Sequence, residues 1–117
     1  GAAEVLELQA LVRRVPVPDA LTDFAVRLAR GTRPKDPLSP ESVRPWVSWG
    51  AGPRASQALV VRAKARALLD GRLAVAQEDV VRVAAPILRH RLVLNYQAEA
   101  EGVRADDLVT RLLNALA

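Results

Sequence analysis

Proline and glycine divide this chain into pieces of helix length, and inside each piece the apolar residues recur three and four positions apart. That period puts one face of an α-helix into a core. Residues 4–14, "EVLELQALVRR", set Leu8, Leu11 and Val12 on one face, continued by Val15, and Pro16 and Pro18 then end the helix. A second helix over 18–30 places Leu21, Phe24, Ala25 and Leu28 at helical spacing, with Gly31 as its C-terminal stop. The third, over 53–70, is apolar or alanine almost all round, which predicts the central and most buried helix, ended by Gly71.

Residues 72–75, "RLAV", read as a short extended link before "AQEDVVRVAAPILRHR", whose Val80, Val83, Ala84, Ile87 and Leu88 form one stripe. Glu78 and Asp79 suit the positive start of that helix, and Arg89, His90 and Arg91 suit its negative end. Pro86 should kink it or end it early. The string "LVLNYQ" fits either a continuation of the helix or a short strand. After Gly102 a last helix over 105–116 turns Leu108, Leu112, Leu113 and Leu116 inward, with Asp106 and Asp107 in its first turn. Residues 32–47 carry four prolines and read as a long loop with a turn near Ser42.

The expected fold is all-α, a small bundle of about five helices with at most one short extended segment. Composition agrees, because one Phe, one Tyr and two Trp leave Ala, Leu and Val to build the core. At 117 residues the chain is one domain, too short for a core plus a separate catalytic domain. It starts at Gly1 and contains no Met, which leads us to expect a piece of a longer protein. No apolar run approaches the ~20 residues of a membrane span, and no cysteine is present to form disulfides or thiolate metal sites.

The residues also limit the chemistry. His90 is the single histidine, so any nucleophile relay would depend on it, and between two arginines at a helix end it reads as a capping or packing residue. No spacing of His and carboxylates suits a metal ion, and no G-x-x-x-x-G-K-[ST] loop is present to cradle phosphates. We therefore expect neither a catalytic residue nor a metal site within these residues. The net charge of +4 raises nucleic acid as a partner, through Arg62, Arg66 and the Arg89/Arg91 pair. Against that reading, stacking aromatics are scarce and the arginines are interleaved with acids. A helical scaffold that docks a protein partner is the blander possibility.

One residue is oddly placed. In "SWGAGPRASQ" the third helix opens with Pro53 at its first position and then Arg54, a cation facing the positive end of the helix dipole at a cost of roughly 0.3–1 kcal/mol. Helix starts bind anions through unpaired N–H groups, and an arginine there adds a charged fork for phosphate oxygens. Gly50 and Gly52 would let backbone approach closely. The same arginine could equally point into water or pair with a neighbouring carboxylate.

Taken in order, "GAGPRA" (50–55), "ALLDGR" (67–72), "VAQEDV" (75–80) and "LRHRL" (88–92), preceded by "LQALVRRVPVPDALTDFAVRLARGTRP", closely resemble the C-terminal helical lid of MoxR-type AAA+ ATPases. The likeness covers nearly the whole chain and loosens over residues 35–47. It implies that Arg54 is the second sensor, which contacts the γ-phosphate of ATP, with Gly50, Gly52 and Pro53 forming its supporting turn. It also implies a parent protein whose missing α/β core binds ATP and Mg²⁺, a ring of six subunits, a von Willebrand factor A domain partner and a chaperone-like or metal-insertion role in the cytoplasm. Nucleic acid then becomes an unlikely partner, and Arg33, Lys35 and Arg44 in the proline-rich loop would face a neighbouring subunit or solvent. One departure stands out: the family's usual Thr-Pro before Glu-Asp-Val is Ala76-Gln77 here, which removes a hydroxyl cap worth typically ~1 kcal/mol.

Overall fold

The computed structural model describes residues 1–117 as six α-helices and one two-stranded ribbon. Helices α1 (Ala2–Arg14) and α2 (Asp19–Gly31) come first. A 3-10 turn (Arg44–Trp46) then leads into strand β1 (Val47–Trp49) and helix α3 (Arg54–Leu69). Helix α4 (Gln77–Leu88), a second 3-10 turn (Arg89–Arg91), strand β2 (Val93–Leu94), helix α5 (Tyr96–Glu101) and helix α6 (Ala105–Leu116) complete the chain. The all-α expectation holds, with one helix more than the five expected. The extra helix and β2 both fall in the stretch that sequence left open between helix and strand. Asn95 separates them, since its side-chain Oδ1 accepts from the Ala98 N–H at 2.9 Å and starts α5.

Helix α3 is central, packed against α1, α2 and α4. Its buried residues are Ala55, Leu59, Ala63 and Ala67, one every four positions. Such a stripe of mostly methyl side chains lets neighbouring helix axes come close, and larger side chains from the other helices fill the space: Phe24 and Leu28 from α2, Val80 and Leu88 from α4, Leu108 and Leu112 from α6. The expectation that α3 is the most buried helix is corrected: four of its 16 residues are buried against five of 13 in α2 and five of 12 in α4, and Val61 and Leu69 on its outer side are exposed. Helix α1 buries no residue: Val15 just after it joins the core, Val12 is half-buried, and Leu8 and Leu11 stay half in water.

Three local readings also change. Gly31 does not stop α2 by a left-handed turn; Thr32 after it remains right-handed (φ −76°). Its absent side chain instead makes room for α6, since a Cβ there would lie 2.7 Å from Leu112 Cδ1 and 2.9 Å from Leu116 Cδ1. Helix α4 ends at Leu88, two residues past Pro86, so Arg89, His90 and Arg91 lie in the 3-10 turn and not in its last turn. His90 is exposed there and makes no hydrogen bond, neither capping nor packing as expected. Gly71, by contrast, ends α3 as expected, at φ +73°, with the Arg72 N–H returning to the Ala67 carbonyl at 2.9 Å.

The missing hydroxyl cap of α4 is partly replaced. Asp79 Oδ2 accepts from the Ala76 N–H at 2.8 Å, reaching back one turn. The same fully buried carboxylate takes a two-pronged bond from Arg72, 2.7 Å to Oδ2 and 2.5 Å to Oδ1, with Arg66 Nε 3.6 Å away. Hydrogen bonding to Arg72 is the main reason that Asp79 stays ionised below the usual carboxylate range, and it overcomes the opposing effect of burial. Asp79 thus does more than complement a helix dipole: it ties the ends of α3 and α4 together through the 70–76 turn.

Candidate functional site

The turn from Gly50 to Pro53 is held by the end of α2. Thr32, buried, donates its hydroxyl to the Ala29 carbonyl at 2.6 Å and accepts from the Ala51 N–H at 2.8 Å. Arg33 Nε donates to the Ala51 carbonyl at 2.8 Å. Both polar groups of Ala51 are therefore fixed by two consecutive residues of one helix end. Gly50 is required by this clamp, because a Cβ on it would lie 2.4 Å from the Thr32 carbonyl oxygen and 2.6 Å from the Arg33 nitrogen. On its other side β1 anchors the turn by pairing antiparallel with β2, Val47 opposite Leu94 and Trp49 opposite Val93, with an irregular step between.

Pro53 follows with helical dihedrals (φ −60°, ψ −29°), and the helix proper begins one residue after it, at Arg54. No acidic residue occupies the first turn of α3. Arg54 is exposed, and none of the chain's ion pairs includes it. The carboxylate partner that would make its placement ordinary is absent. Gly52 faces open space, with nothing within 4 Å of where a Cβ would stand. The two glycines therefore differ: Gly50 packs against α2, and Gly52 leaves the approach to Arg54 clear.

A cleft of about 410 Å³ adjoins this turn, lined by Arg33, Pro34 and Lys35 and by the residues from Val47 to Gly52. Trp49 stands in it 74% exposed. Sequence reasoning did not single out Thr32, nor the way that Arg33 and Trp49 frame the turn. The signal was the "GTRP" string at 31–34, adjacent in space to "WGAGP" and distant in sequence.

Of the basic residues proposed for nucleic acid, Arg62 is exposed without an ion pair and the other three are engaged within the chain. Arg89 pairs with Asp106 at 3.0 Å, Arg91 donates to the Ile87 carbonyl at 2.8 Å, and Arg66 lies beside Asp79. Of the loop cations, Arg33 is engaged by the turn and Arg44 bonds Glu41 and the Ser39 carbonyl, while Lys35 is exposed without an ion pair. No three His, Asp or Glu side chains lie together to hold a metal ion. No helix is long and apolar enough to cross a membrane.

Residues 41–112 of this helical bundle, whose central helix starts with an unpaired arginine after a clamped glycine turn, match the AAA lid domain family, to which the chain belongs. It is a lid of the MoxR type. The chain is 38% identical over its whole length to the chaperone MoxR1 of Mycobacterium tuberculosis, and 42% identical over 66 residues, 56% of this chain, to the protein MoxR of Paracoccus denitrificans. These matches span 31% and 19% of the two relatives. Among solved structures, a putative ATPase from Cytophaga hutchinsonii superposes with a TM-score of 0.91 at 32% identity, covering 98% of this chain and 35% of that one.

Proposed function

We propose that this domain is the lid of a longer MoxR-type AAA+ ATPase and that Arg54 is its second sensor, the side chain that meets the γ-phosphate of bound ATP. The observation that carries the reading is the state of Arg54: exposed, without a carboxylate partner, and seated on a turn fixed from both sides. The clamp at Ala51 fixes the backbone that leads into Arg54, and its guanidinium, which no carboxylate engages, is free to meet charge that develops on the transferring phosphoryl group. Nothing lies within 4 Å of where a Cβ on Gly52 would stand, so that side of the turn is open to a ligand.

The catalytic loop, the Mg²⁺ ligands and the water-activating residue belong to the remainder of the protein. This chain contributes the closing surface and the sensing charge, so nucleotide state is read out as lid position. In this reading the lid packs on its own core and on neighbouring subunits of a ring of six, in the cytoplasm. The motion serves chaperone-like remodelling or metal insertion, with a von Willebrand factor A domain protein as partner.

The test is Arg54→Ala in the complete protein, with turnover, nucleotide affinity and oligomeric state measured on the same samples. Loss of one catalytic donor costs on the order of 10²–10³ in turnover, and we expect a fall of at least tenfold with the oligomer intact. Unchanged turnover would refute the assignment. The 117-residue domain alone should not hydrolyse ATP.

A further inference from the structure

We infer that the cleft beside Arg54 is the nucleoside half of the same site, with Trp49 as the stacking platform for the base. The inference rests on the reading of Arg54 above and extends it to residues that no resemblance assigns. Its first support is the placement of Trp49. A tryptophan can remove about 150–250 Å² from water, yet this one is 74% exposed while locked into a paired strand. The strand pairing fixes the backbone that carries it, and the indole is left open to a ligand. The other tryptophan, Trp46, is already covered, lying under the Arg111 guanidinium at 6.0 Å.

The second support is charge. None of the nine residues that wall the cleft is acidic, and two are cationic. Arg33 gives its Nε to the Ala51 carbonyl and forms no ion pair with its outer nitrogens, and Lys35 has no ion pair. The one nearby carboxylate, Asp36, is held by Arg30 at 2.9 Å and by the Leu38 N–H. An aromatic residue beside two cations without ion pairs suits a planar base that carries phosphates. The volume of about 410 Å³ lies in the range of small-molecule sites. Continuity decides which phosphates: the cleft wall ends at Gly52, two residues before Arg54, so base and triphosphate of one nucleotide can share the turn.

Stacking is measured by calorimetric titration of the complete protein with ATP and, separately, with inorganic triphosphate, which has the charge and lacks the base. Trp49→Ala should weaken ATP binding at least fivefold and leave triphosphate binding within twofold, and Trp49→Phe should restore most of the loss. Lys35→Gln should weaken both ligands alike. Thermal melts and sedimentation of each variant report on folding and assembly.

The inference is overturned if Trp49→Ala leaves ATP affinity within twofold, or lowers ATP and triphosphate equally. It is also overturned if the variant changes only assembly, because Trp49 then packs on protein, or if it abolishes binding of a single-stranded oligonucleotide and spares ATP. Arg54→Ala in the same titrations separates the two readings. If its turnover is normal while Trp49→Ala still loses ATP selectively, the sensor assignment fails and the stacking platform stands.

Discussion

Thr32→Val replaces a hydroxyl by a methyl group of nearly the same size at a position only 1% exposed, so neither a cavity nor overpacking enters the result. What changes is one buried donor. The Ala51 N–H, on a residue also 1% exposed, loses the acceptor at 2.8 Å that satisfies it. The Ala29 carbonyl loses a hydroxyl donor and keeps the Thr32 N–H at 3.3 Å. A buried unsatisfied donor costs about 1–3 kcal/mol, and we expect the variant to lose about 2 kcal/mol. With an unfolding entropy of about 2.1 cal/mol/K per residue over this length, that is a fall in Tm of about 8 °C. The comparison variant is Thr32→Ser, which keeps both hydrogen bonds, gives up one methyl and should lose about 1 kcal/mol or less. Urea unfolding followed by far-UV circular dichroism, with an unchanged m-value, gives both numbers. A Thr32→Val protein within about 0.5 kcal/mol of the parent, or a Ser variant as damaged as the Val one, would refute the account of the turn as clamped by this hydroxyl.

The two turn glycines should respond oppositely. Gly50→Ala drives a Cβ into the Thr32 backbone at 2.4 Å and should cost about 3 kcal/mol or more, whereas Gly52→Ala meets nothing within 4 Å and should stay within about 0.5 kcal/mol by the same urea assay. Acid should weaken the fold through Asp79. Its folded-state pKa lies below its unfolded value of about 3.9. The unfolded state therefore binds more protons as pH falls, so the contribution is complete above about pH 5 and is lost progressively below it. Asp79→Asn should lower stability at pH 7 and flatten the dependence between pH 5 and 2, roughly the window set by that shift. An Asn variant with the parent's acid slope would exclude the Arg72–Asp79 pair as the cause.

Much of the bundle is written locally. The periodicities of Leu21 to Leu28, Val80 to Leu88 and Leu108 to Leu116 predict α2, α4 and α6 because each helix buries a single stripe, and a stripe is a one-dimensional signal. The terminator role of Gly71 is equally local, since a left-handed residue after a helix needs no partner to be favoured. Arg54 is noticeable from sequence for a similar reason, as its conflict with the helix dipole involves only its own helix.

Other properties were decided between elements. That Gly31 is a packing glycine depends on Leu112 and Leu116, more than eighty residues away, and that Gly50 is obligatory depends on the backbone of Thr32. Leu8, Leu11 and Val61 match helical cores in pattern yet remain exposed, because burial needs a partner surface that the chain's own helices do not provide there. Strand β1 was invisible among prolines because three residues carry too little alternation, and it exists only because β2 lies beside it. The sequence by itself determined five of the six helices, the stop of α3 at Gly71 and one misplaced cation. Only the tertiary structure decided how that cation is presented, because the clamp on its turn joins Thr32 and Arg33 to Ala51 across a gap that no periodicity spans.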